Sequence, residues 1–134
     1  MKQREQAELL LRKASQDEAL LDEVIGSERV SDEVIGFHCQ QAAEKLLKAL
    51  LSDLGVAFRK THELGALLEL LVRSGVEVPN EFADLDALTP YGALYRYDDF
   101  DARESLDRQG SRSLLRSLRG WVESRLGDRS GPRE

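Results

Sequence analysis

The chain has 134 residues, 41% of them hydrophobic and 33% charged, a balance that suits one soluble globular domain and excludes a disordered one. No run approaches the roughly 20 apolar residues that span a bilayer, and the opening Met1-Lys2-Gln3-Arg4-Glu5 has no apolar signal core. With Cys39 as the single cysteine, a cytoplasmic protein without membrane contact is expected. The net charge of −6 argues against general coating of nucleic acid, although residues 101–134 hold eight arginines against six acids.

Apolar residues recur at helical spacing from Lys2 to about Ile25, through Ala7, Leu10, Leu11, Ala14, Leu21 and Val24, and Gly26-Ser27 interrupts them. A second helix is expected from about Ser31 to Leu54. Ser31 suits its cap, Asp32 and Glu33 its positive end, and Gly55 its stop. At about 100° per residue, Cys39, Ala42, Ala43, Leu46, Leu47, Leu50, Leu51 and Leu54 share one face, leaving His38, Gln41, Lys45, Lys48 and Ser52 on the other.

Thr61 suits the cap of a third helix, with a stripe of Leu64, Leu67, Leu68 and Leu71 and an end at Gly75. A fourth begins near Asn80 and takes in Phe82, Leu85 and Leu88. Thr89-Pro90 should kink or end it, since proline lacks a backbone donor. Asp101 and Glu104 read as a capping box for a last helix ending at Gly127. The expected architecture is all-α: an antiparallel up-and-down bundle of four to five helices, one domain over 1–127 with a flexible tail over 128–134.

Several chemistries lack their residues. Di-iron bundles need Glu three residues before His, and the positions before His38 and His62 hold Ile35 and Arg59. One cysteine and two histidines give no zinc spacing, and no glycine loop is built to cradle phosphate. No metal or cofactor is expected, and no catalytic residue is assigned.

Three stretches remain: Phe37-His38-Cys39-Gln40-Gln41-Ala42-Ala43-Glu44-Lys45, Lys60-Thr61-His62-Glu63-Leu64, and Leu88-Thr89-Pro90-Tyr91 followed by Tyr95-Arg96-Tyr97. In this order they resemble the HEPN family (higher eukaryotes and prokaryotes nucleotide-binding domains), over about Ala7 to Leu126. The resemblance implies a helical bundle, commonly a homodimer, encoded beside a minimal nucleotidyltransferase in a toxin–antitoxin-like pair. Ribonuclease members carry an arginine followed, four to six residues on, by a histidine. Here His38 stands nine positions after Arg29, His62 three after Arg59, and no histidine follows Arg96. Without that imidazole, RNA cleavage has no evident proton carrier.

The expected function is therefore binding, of a nucleotide, an RNA phosphate or a partner protein. The alternatives are an atypical ribonuclease toxin using His38 or His62, and a structural dimer or adaptor. The candidate ligand-binding residues are His38, Gln41 and Lys45 along one ridge of the second helix, Arg59, Lys60, Thr61 and His62 around the start of the third, and Tyr91, Tyr95 and Arg96 for stacking and charge. Arg108, Arg112, Arg116 and Arg119 form a further ridge, expected to be an ordinary solvated face.

Overall fold

The computed structural model describes residues 2–92 and 105–129, with no strand among them. The elements are α1 (Lys2–Val24), α2 (Asp32–Leu54), α3 (Leu64–Arg73), a 3₁₀ helix (Asn80–Gly92) and α4 (Arg108–Arg129). The all-α bundle expected from the apolar spacing is thus the observed fold. Among the described residues no helix is long and apolar enough to cross a membrane.

α2 is the centre, packed against each of the other four elements. Its ends follow from its sequence. The Ser31 hydroxyl accepts from the Val34 amide, and Gly55 stops the helix at φ 73°, a left-handed turn that glycine adopts without a Cβ clash. The expected apolar face is fully buried from Cys39 to Leu51. On the opposite side Ser52, expected outside, is buried and His38, Gln41, Lys45 and Lys48 are half-buried, because α2 is covered from several directions rather than one.

α1 runs antiparallel to α2, which sets Arg4 against Asp53 at 3.0 Å. α4 then returns along α1, and its long arginines reach across. Arg108 bonds the Ile25, Ser27 and Val30 carbonyls, Arg112 bonds Asp22, Arg119 bonds Leu11 and Ser15, and the Leu126 carbonyl meets Arg4. Partner numbers fall as the arginine numbers rise, which defines the antiparallel register.

Three boundaries differ from expectation. The segment from Asn80 is a 3₁₀ helix that carries Pro90 inside it. Phe82, Leu85, Leu88 and Tyr91 lie three apart, and at 3.0 residues per turn they stack in one line, where an α-helix would spread them. α4 starts at Arg108, with Asp107 Oδ1 accepting from the Gly110 amide; Asp101 and Glu104 lie outside the described residues. α4 also continues past Gly127 to Arg129, since a glycine weakens a helix without being obliged to end it.

Candidate functional site

Glu44 is nearly buried on α2, and three donors converge on it. Gln40 Nε2 lies 3.0 Å away, His62 Nδ1 2.7 Å and Lys48 Nζ 2.9 Å. Burial pushes its carboxyl up, but the bonds from Gln40, His62 and Lys48 together outweigh burial and hold it below the ordinary carboxylate value. An ionised carboxylate only accepts, so His62 Nδ1 carries the proton on this bond. The other ring nitrogen has no partner among the described residues, on a side chain that is 60% exposed. Gln40 Nε2 also donates to the His62 carbonyl at 2.8 Å, so His62 is pinned by both backbone and side chain.

One step round the helix, Asp17 of α1 receives His38 Nδ1 at 2.9 Å and Lys45 Nζ at 2.5 Å. Gln41 links the two groups by donating to Gln40 Oε1 at 2.9 Å. The expected ridge of His38, Gln41 and Lys45 therefore exists, and His62 joins the same polar strip through Glu44 and Gln40. Each of these side chains already has a partner within the chain.

The start of α3 is capped from elsewhere. Thr61 stands before the helix, where its hydroxyl accepts from the Glu63 amide, and His62 precedes the first turn. The Leu64 amide bonds Thr89 Oγ1 at 3.1 Å, and the Gly65 amide bonds Asp86 Oδ1 at 2.9 Å. A carboxylate from the 3₁₀ helix thus sits where a phosphate was expected, because the helix-start amides attract whichever anion the fold brings nearest. Arg59 and Lys60 are exposed, and neither makes an ion pair among the described residues. Arg59 and Thr61 line a hollow of about 350 Å³ whose apolar wall includes Phe58, Leu67 and Leu70.

Tyr91 is half-buried with its ring against Gly36, so close that a Cβ there would collide with it. It packs on the core instead of standing free for stacking. Tyr95 and Arg96 lie outside the described residues.

The ridge of Arg108, Arg112, Arg116 and Arg119 is not an ordinary solvated face. Arg112 is buried, with Nε 2.6 Å from Asp22 and Nη1 3.4 Å from Glu18; Arg119 Nη2 lies 2.6 Å from Glu18. The bond from Arg112 is the main reason that Asp22 titrates below its ordinary range, as the bond from Arg108 is for Asp32. Arg108, Arg112 and Arg119 hold the fold through these bonds, while Arg116 stays 59% exposed with a single 3.5 Å contact to Asp22.

Sequence reasoning passed over Asp17, Gln40 and Glu44. Gln40 and Glu44 are spaced i, i+4 inside the motif, a spacing that signals a mutual contact; nothing local points to Asp17. Among the described residues, no three His, Cys, Asp or Glu side chains converge as metal ligands.

Comparison with curated proteins found no match, and comparison with solved structures found none. The family model for the HEPN domain matches residues 7–125. That span takes in all of α2, α3 and the 3₁₀ helix and most of α1 and α4. The chain belongs to the HEPN domain family.

Proposed function

We propose that this HEPN domain is a binding module that takes a phosphate-bearing ligand, a nucleotide or an RNA end, and acts beside a minimal nucleotidyltransferase. The observation that carries the ligand half is the Arg59–His62 segment. Arg59 lines a hollow with an apolar wall, Lys60 and the pinned His62 follow it in the chain, and neither cation makes an ion pair among the described residues. Its size, about 350 Å³, is within the ordinary range for small-molecule sites. Arg59 and Lys60 would meet phosphate oxygens while Phe58 and Leu70 shelter a flat, less polar part of the ligand. The partner half rests on the family resemblance.

Titration calorimetry with ATP tests the ligand half. Charge-assisted bonds contribute about 1.5–3 kcal/mol each, so Arg59→Ala with Lys60→Ala should weaken binding by at least tenfold. Both side chains are exposed, so the melting temperature without ligand should hardly move. No heat and no thermal shift at millimolar ATP would refute it.

A second reading, an atypical ribonuclease, draws on the Glu44–His62 pair. A buried carboxylate that fixes one imidazole nitrogen and leaves the other facing water is how proteins prepare a general base. RNA cleavage by the purified chain, abolished in His62→Ala but retained in His38→Ala, would favour it over binding alone.

A further inference from the structure

The charges of this molecule are unevenly matched. On α1, α2 and α4, buried acids face cations: Asp17 meets Lys45, Glu18 meets Arg119, and Asp53 meets Arg4. Between residues 63 and 92 there are six acids (Glu63, Glu69, Glu77, Glu81, Asp84 and Asp86) and one base, Arg73, a local net charge of −5 in a chain of −6. Arg73 is taken by Glu69 at 2.8 Å, while Glu77, Glu81 and Asp84 form no ion pair among the described residues.

The same unit carries an apolar groove between α3 and the start of the 3₁₀ helix. Two adjoining hollows of about 330 and 720 Å³ share Val72, Val78 and Pro79, and Leu68 and Ala83 extend one of them. Val72 is 57% exposed, more than any other large hydrophobic among the described residues. An apolar floor held open to water, with Glu77 on its rim and a surplus of acids in the surrounding segment, suits one kind of occupant.

We propose that this groove docks a cationic segment of a partner protein, anchored by a branched apolar side chain between Val72 and Pro79, with a lysine or arginine facing Glu77. The apolar contact supplies the anchoring and the charges supply the orientation and the choice of partner. A helix with apolar residues on one side and lysines flanking them meets both requirements.

The test uses a dye-labelled helical peptide of about fourteen residues, four turns, built of leucine and lysine, beside its leucine and glutamate counterpart. Fluorescence anisotropy on the full chain should show the lysine peptide binding, the glutamate peptide failing, and the affinity falling with salt. Val72→Lys should weaken binding about tenfold or more, Val72→Thr and Glu77→Lys should weaken it in the same direction, and Leu9→Lys, at another exposed hydrophobic, should leave it unchanged. Equal binding of the two peptides, or equal weakening by Leu9→Lys, would overturn the proposal. So would light scattering showing a dimer that Val72→Lys dissociates, since a second copy would then be the occupant. No nucleotide enters these measurements, so their outcome is separate from that of the phosphate reading.

Discussion

A carboxylate withdrawn from water stays charged only where donors replace the solvent, and Glu44 has three. Its pKa is lower in the folded chain than the ordinary 4.5, so between these values the unfolded chain binds more protons and stability rises with pH. The contribution is complete above about pH 4.5 and is lost as pH falls through the folded value. Glu44→Gln should lower stability at neutral pH and flatten this part of the acid limb, as read by urea titrations at several pH values. Arg112 is a sharper case, because its removal leaves buried Glu18 with weaker compensation. Arg112→Ala should cost about 3–5 kcal/mol and lower the melting temperature by roughly 10–20 °C. Ser52 is the opposite: its buried hydroxyl has no partner among the described residues, so Ser52→Ala should be neutral or stabilise by about 1 kcal/mol. Burial pushes the Cys39 thiol up to about 12, so a thiol reagent at neutral pH should label it only at the rate at which the core opens.

At the scale of elements, local and distant information separate cleanly. α2 was legible from its cap, its stop and its apolar face, because all three are written within one stretch of chain. The 3₁₀ helix was read as an ordinary helix because i, i+3 spacing is common to both forms; only docking on α2 and the start of α3 selects the tighter one. The polar strip was legible as far as its α2 members, and the capture of His38 and Lys45 by Asp17 was not, since it depends on how α1 lies over α2. The ring of Tyr91 on Gly36 gives the docking a direct probe. Gly36→Ala should push the 3₁₀ helix off α2, with a change in near-ultraviolet dichroism exceeding that in the far-ultraviolet.

Across the whole molecule, the arginines of the last helix do what a continuous apolar seam does in a simpler bundle. They tie α4 to α1 through buried and half-buried ion pairs and through carbonyls in the turn before α2. This arrangement uses cations that composition alone made available to an outside polyanion, and it leaves the net negative charge around α3. The sum of charges was readable from the chain; their pairing required the register of helices far apart in sequence.

One bond in that register reaches further. Arg4 donates to the carbonyl of Leu126, so the first and last turns of the bundle end at the same pole. A short flexible linker can therefore join the two termini into a continuous ring without crossing the body of the protein. Cut anew beside Gly75, where an added Cβ would meet nothing, such a circular permutant should regain the native helical content and melt cooperatively.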